Sequence, residues 1–241
     1  MTTNPADLAP AGRTEVVLGA LAVTPRPLAA YQDMFLLSGA DLVAGPILDC
    51  PGGTSSFGAR VRALGGVVTS VDPAYRLPRA ELLARTRADT DRVVAWQRSN
   101  PAGFDWSYLG SPEAVGQLWH AAAEEFAADF ALDGRRYVDA ALPALPFPDG
   151  RFALTLSGFL LFTYPDLLDF DDHVAALLEL CRVTRGEVRV YPVHDTAGRT
   201  YPRLRDLRAV LEQRGVSTQL TATGCAYSPR PGSDRMLVLA R

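Results

Sequence analysis

Apolar positions along this chain switch repeatedly between helical and strand-like spacing, which predicts alternating helices and strands. Leu28, Tyr31, Met34, Phe35 and Leu37 cluster at helical intervals between Pro25 and Val43. Ile47-Leu48 is a short apolar run ending on Asp49, and Val67–Val71 is a second run ending on Asp72. Between them Phe57, Val61 and Leu64 stand at i, i+4 and i+7, and Gly65-Gly66 stops that helix with glycine at or just past its end. Two helical stretches follow, Pro78 to Trp96 and a second opened by Ser111-Pro112, a capping residue followed by proline at the first helical position. The chain then returns to strand at Arg136-Tyr137-Val138 and again in an apolar run ending at Ser157-Gly158. Val174, Leu177, Leu178 and Cys181 mark a further helix, with Asp166, Asp169, Asp171 and Asp172 gathered at its N-terminus, where the macrodipole favours anions. Arg182 and Arg185 are expected in its last turn, with Gly186 ending it. A strand from Glu187 to Val193 ends at His194-Asp195, and a helix from Pro202 to Arg214 stops at Gly215. Strands Val216–Thr223 and Arg235–Leu239 flank a Pro/Gly/Ser loop at Ser228–Asp234 that suits a hairpin connection.

The stretch Pro46–Tyr75 is a strand–loop–helix–strand unit of the nucleotide-binding kind. Its loop, Cys50-Pro51-Gly52-Gly53-Thr54-Ser55, is built of small residues that let a ligand approach the backbone. Asp72, with Pro73 behind it, lies about 20 residues past the loop, where a carboxylate accepts hydrogen bonds from a ribose diol. Pro51 stands where the dinucleotide fingerprint has its first glycine and Ser55 where a later one belongs, a poor cradle for pyrophosphate. A ligand with an adenosine but no phosphates fits better. The same residues also suit a βαβ unit that binds nothing, with Gly52-Gly53 serving the turn and Asp72 the surface.

Between the second and third strands the chain spends about sixty residues where a crossover needs about a dozen. All three tryptophans, Trp96, Trp106 and Trp119, fall in this insertion, residues 76–135, around the aromatic loop Asn100–Gly110. The insertion suits either a lid over the sheet's carboxyl edge or additional helical packing.

The chain has 241 residues, 48% of them hydrophobic and 21% charged, which suits one domain with a sizeable core. Its net charge of −3 gives no electrostatic footprint for nucleic acid or an anionic membrane. Every basic residue is arginine. Cys50, Cys181 and Cys225 lie far apart without metal-like spacing, the pattern of reduced intracellular thiols. Met1–Thr14 suits a frayed polar tail, and Val17–Val23 is too short to span a bilayer and has no convincing signal-peptide flanks. A cytoplasmic location is expected.

The loop after the first strand resembles motif I of the class I S-adenosylmethionine-dependent methyltransferases: an apolar run, Asp49, then Gly53-Thr54, with one extra residue unless Gly52 takes the glycine's place. Further residues carry the resemblance in order. Asp139-Ala140 matches the acid-plus-small pair after the third strand, and Leu145-Pro146-Phe147-Pro148-Asp149-Gly150 with Phe152 matches the turn before the fourth. Ala153 replaces the family's frequent aspartate there. The resemblance covers about Tyr31 to Arg241, broken by the insertion. It implies an α/β fold, a doubly wound, seven-stranded, mostly parallel sheet closed by an antiparallel pair, with a helical insertion after strand 2. It also implies S-adenosyl-L-methionine as cofactor and a small-molecule acceptor. Asp72, Asp49, Gly52, Gly53 and Pro73 would contact the cofactor, with Asp139 and Ala140 beside its adenine, Ser157 and Gly158 beside the methyl donor, and Tyr31 either reaching in from the helix before the first strand or standing as a plain core tyrosine.

Transfer of a sulfonium methyl rests mainly on positioning in a dry pocket, with a base needed only for a protonated hydroxyl or amine. His194, at the carboxyl end of the fifth strand, is the best-placed candidate base, ahead of His173 and His120. No Asn/Asp-Pro-Pro-aromatic sequence follows the fourth strand, where Ser157-Gly158-Phe159-Leu160 stands, which argues against nucleobase and glutamine amide acceptors. The tyrosine-lysine pair of short-chain dehydrogenases cannot be formed without lysine. Other nicotinamide enzymes and a non-catalytic methyltransferase-like binding protein remain as rival readings.

Overall fold

In a computed structural model, residues 21–164 and 167–241 are described. The tail Met1–Thr14, most of the Val17–Val23 run and Asp166 lie outside them. The predicted apolar runs become strands β1 (Pro46–Asp49), β2 (Val67–Val71), β3 (Tyr137–Val138), β4 (Phe152–Gly158), β5 (Thr184–Tyr191), β6 (Ser217–Ala222) and β7 (Arg235–Ala240). They form one seven-stranded sheet in the order β3-β2-β1-β4-β5-β7-β6. β1 to β5 pair in parallel, and β7 runs antiparallel to both its neighbours. The chain has the expected doubly wound, mostly parallel seven-stranded α/β fold closed by an antiparallel pair.

Alternate residues of the central strands serve opposite faces, as the pleat requires. Ile47, Val68, Leu154 and Leu156 pack with Met34, Phe35 and Phe57 under helices α1 (Leu28–Phe35) and α2 (Phe57–Ala63). Leu48, Val188 and Val190 pack with Leu177, Leu180, Leu207 and Leu211 under α6 (Phe170–Val183) and α7 (Leu204–Gln213). The insertion supplies α3 (Arg79–Ser99), the single turn α4 (Trp106–Leu109) and α5 (Pro112–Leu132). Ser111 caps α5 as its sequence predicts, accepting from the Ala114 N–H at 3.1 Å. Leu82 of α3 and Phe126 of α5 join Tyr75 and Tyr137 in a cluster beyond the β3 edge. Arg60 and Arg62 of α2 form ion pairs with Glu125 and Asp129 of α5, so the insertion's second long helix is tied into the body.

The boundary that differs most from the sequence prediction is the junction of α6 and β5. α6 ends at Val183 and β5 begins at once, so Arg185 and Gly186 lie in the strand. The N-terminus of α6 does carry a full capping box, Asp169 with Asp172. At the other end, Thr184 bonds back to the Leu180 carbonyl at 2.6 Å and faces the Thr155 hydroxyl across the sheet. Gly186 sits at a bulge, where the register between β4 and β5 shifts. A Cβ there would land on the Ala153 carbonyl oxygen, so crowding between strands, rather than helix capping, requires the glycine. Arg182 clamps the turn that precedes β4: its guanidinium donates to the Phe147 carbonyl at 2.9 Å, the Asp149 carboxylate at 2.7 Å and the Leu145 carbonyl at 3.2 Å.

Candidate functional site

The strand order reverses between β1 and β4, and in open α/β sheets ligands bind outside the carboxyl ends of the strands at such a switch point. A cleft of about 590 Å³ opens there. Its walls are Cys50-Pro51 after β1, Asp72-Pro73-Ala74 after β2, Ala140–Pro143 after β3 and Phe159–Leu161 after β4. Arg76, Arg85, Tyr164 and Asp172 add polar groups to an otherwise apolar lining.

Asp72 organises the cleft's polar end. One carboxylate oxygen accepts from the Gly53 N–H at 3.0 Å and the other from the Ala74 N–H at 2.9 Å. Burial pushes its pKa up, opposed by those two hydrogen bonds. Each oxygen keeps a lone pair for a further donor. Gly53 meets the carboxylate because its backbone is left-handed (φ +51°), and a Cβ there would come within 2.9 Å of the Thr24 carbonyl oxygen. Its own carbonyl accepts from the Tyr75 hydroxyl at 2.7 Å. Gly52 is closed in by the same hydroxyl and by Ser70.

Of the residues expected at a cofactor, Asp72, Pro73 and Ala140 line the cleft. Tyr31 and Asp49 form a dry layer behind the loop instead of its wall. The Tyr31 hydroxyl donates to Asp49 at 3.0 Å, and its ring stacks on Phe57 at 4.3 Å. Ser157 is buried at the end of β4, its hydroxyl without a partner among the described residues. Gly158 faces the Phe35 ring. Asp139 is exposed, so the pair it forms with Ala140 presents only the alanine to the cleft.

Full burial pushes the Asp49 carboxyl up to about 7, although hydrogen bonds from Tyr31, Ser55 and Ser70 oppose the rise. A carboxyl raised in the native state contributes its stability fully below its ordinary pKa of 3.8 and loses it as pH climbs through about 7. Asp49→Asn, which carries no titrating proton, should therefore gain on the wild type between about pH 4 and pH 8, by up to about 4 kcal/mol. Denaturant unfolding of both proteins across that range checks this. A stability difference that does not vary with pH would mean that Asp49 titrates normally.

A second, smaller cavity of about 80 Å³ adjoins the cleft, and Ala22, Phe159 and Tyr164 line both. The insertion closes it with Trp96, Gln97, Phe104 and Trp119, the carboxyl end of β5 with Pro192 and His194, and the loop before β7 with Tyr227 and Ser228. Phe159, at the shared wall, is a non-glycine residue in the left-handed region (φ 52°), held by its N–H on the Tyr191 carbonyl at 2.8 Å. Such strained positions cluster at functional sites.

The three histidines divide sharply. His120 is exposed on α5, 3.8 Å from Asp91. His173 is a core residue, stacked on Tyr201 at 4.5 Å with both ring nitrogens against the backbone carbonyls of Asp169 and Leu161. His194 is buried and lines the second cavity. Its Nδ1 lies 2.7 Å from the Asp195 carbonyl, which can only accept, so the neutral ring carries its proton there. Its Nε2 makes no well-formed hydrogen bond among the described residues, and burial lowers its pKa, opposed by the backbone of Asp195 and of Ser233.

Sequence reasoning did not single out Arg26, Gln97, Thr163 or Tyr227, which line the same cavity. Arg26 and Tyr227 hydrogen-bond at 3.0 Å across most of the chain's length, a proximity that no local pattern encodes. Among the described residues no three His, Cys, Asp or Glu side chains are grouped to hold a metal, and no helix is long and apolar enough to cross a membrane.

No family model matches the chain. An uncharacterized protein of Methanocaldococcus jannaschii is 28% identical over 169 residues, covering 70% of this chain and 76% of that protein. Among solved structures, the 1,6-didemethyltoxoflavin-N1-methyltransferase of Burkholderia thailandensis is similar over 88% of this chain and 76% of its own, at 18% identity and a TM-score of 0.41. A SAM-dependent methyltransferase of Aquifex aeolicus is similar over 87% of this chain and 90% of its own, at 11% identity and a TM-score of 0.39.

Proposed function

We propose that the protein is an S-adenosyl-L-methionine-dependent methyltransferase acting on a small molecule, with the cofactor in the larger cleft and the acceptor in the smaller cavity. The observation that carries this reading is Asp72. A buried carboxylate at the tip of β2, fixed by two backbone N–H groups and with lone pairs to spare, stands in the wall of the switch-point cleft. The residues fit the group: 590 Å³ is within the range of small-molecule sites, and the apolar wall of Leu142, Pro143 and Leu161 suits a purine.

When bound, S-adenosyl-L-methionine supplies a sulfonium methyl open to in-line displacement. Asp72 would hold the ribose diol, while Pro73 and Ala140 would pack against the nucleoside. Gly53, whose N–H fixes Asp72, would keep the loop close to the ligand. Tyr31 and Asp49 would support that loop from behind, and Asp139 would serve the adenine's solvent side. Ser157 and Gly158 would lie near the donor end, below Phe159. The insertion would act as a lid, with Trp96, Gln97 and Trp119 shielding the acceptor cavity from solvent. His194, its ring oriented by the Asp195 carbonyl, would accept the proton of an acceptor hydroxyl or amine at Nε2.

Calorimetric titration with S-adenosylmethionine and S-adenosylhomocysteine tests the reading. Binding of both at one site per chain is expected, and binding of neither overturns it.

A further inference from the structure

The smaller cavity holds an unusual set of unanswered groups. Arg26 is 93% removed from solvent at its wall, and its guanidinium lies 3.8 Å from the Phe159 ring centre, 5.0 Å from Trp119 and 5.2 Å from Tyr227. Its side chain makes one hydrogen bond, to the Tyr227 hydroxyl, and no carboxylate pairs with it among the described residues. A buried cation without a counter-charge is costly, and cation–π contact offsets only part of that cost. Only one of the guanidinium's N–H donors is used, on the Tyr227 hydroxyl, which leaves others for an acceptor such as a carboxylate.

Residues of the same wall carry three buried side-chain atoms with no partner among the described residues: His194 Nε2, Gln97 Oε1 and Thr163 Oγ1. The first two want a donor. An occupant that satisfies the set therefore carries an anionic oxygen for Arg26 and an O–H or N–H for His194 and Gln97. The cavity's 80 Å³ takes a group of a few heavy atoms, and any remainder extends past Phe159 towards the cleft.

We infer that the methyl acceptor is a small hydroxy- or amino-carboxylic acid, its carboxylate held by Arg26 and its O–H or N–H facing His194. This rests on the methyltransfer reading of the site. The amino-acid end of the cofactor carries the same chemistry, so the experiment separates the two sources.

Glycolate, lactate and 3-hydroxybenzoate, each beside its neutral amide, are titrated calorimetrically into the protein with and without S-adenosylhomocysteine. At least one acid should bind tenfold or more tightly than its amide. Arg26→Gln should abolish that preference, as should Gln97→Glu, which sets a negative charge in the cavity without removing a buried cation. Arg26→Gln should leave binding of S-adenosylhomocysteine and of 5′-methylthioadenosine, which has no carboxylate, unchanged. No acid–amide preference in the wild type would overturn the inference. So would a tenfold loss of S-adenosylhomocysteine binding in Arg26→Gln that spares 5′-methylthioadenosine, which assigns the cation to the cofactor. If the wild type keeps the preference but binds no S-adenosylhomocysteine, the carboxylate site stands and the cofactor reading falls.

Discussion

Asp72→Ala should weaken binding of S-adenosylhomocysteine by about 1.5–3 kcal/mol, the cost of losing charge-assisted hydrogen bonds to the ribose. The structure adds a second consequence, because the same carboxylate fixes the Gly53 and Ala74 N–H groups. Asp72→Asn separates the two effects. An amide keeps one acceptor oxygen for the loop but loses the charge, so its affinity should fall between those of the wild type and the alanine variant. Calorimetry gives the affinities, and thermal melting shows whether each variant is folded. Unchanged affinity in a folded Asp72→Ala protein would refute the assignment.

His194→Gln should lower kcat by about 10²- to 10⁴-fold, the usual contribution of a positioned general base, while leaving S-adenosylhomocysteine binding intact. The pH dependence distinguishes a base from a wall residue. Burial holds the His194 pKa below the ordinary imidazole value of 6.5, so its neutral form persists to lower pH. Methyl transfer by the wild type should fall only as pH drops through that lowered pKa, and the variant's residual activity should lack that limb. Transfer of labelled methyl to an acceptor that the wild type uses provides the rate. A variant that keeps full kcat and the same acidic limb would show that the proton leaves by another route.

The sheet was legible in the sequence because its signals are local. Ile47-Leu48, Val67–Val71 and the Phe152 run announce strands by composition and length, and Gly65-Gly66 and Gly215 stop helices where their sequences say they should. Asp72 was legible for the same reason, since its distance from the glycine loop is a fixed feature of one βαβ unit. Gly186 misled because a glycine after an arginine-rich turn looks like a cap, whereas the strand neighbour that forbids a side chain there, Ala153, is more than thirty residues away. Tyr31 and Asp49 were placed near the right loop, but sequence does not say which side of a loop faces a ligand, and they meet behind it. Asp139 shows the same limit, being at the right strand end yet turned to solvent. The smaller cavity was the least legible part. It joins Arg26, Gln97, Thr163, His194 and Tyr227, one from each of five separate segments. Arg26, Gln97, Thr163 and Tyr227 looked like ordinary core or loop residues, and only tertiary packing brings them into one wall with His194, the member that its place at the end of a strand had already marked.

The most direct test of the account is a crystal structure of the protein with S-adenosylhomocysteine. The nucleoside is expected between the carboxyl ends of β1, β2 and β4, with both ribose hydroxyls on the Asp72 carboxylate. A nucleoside bound elsewhere, or a cleft filled by the protein's own side chains, would contradict it.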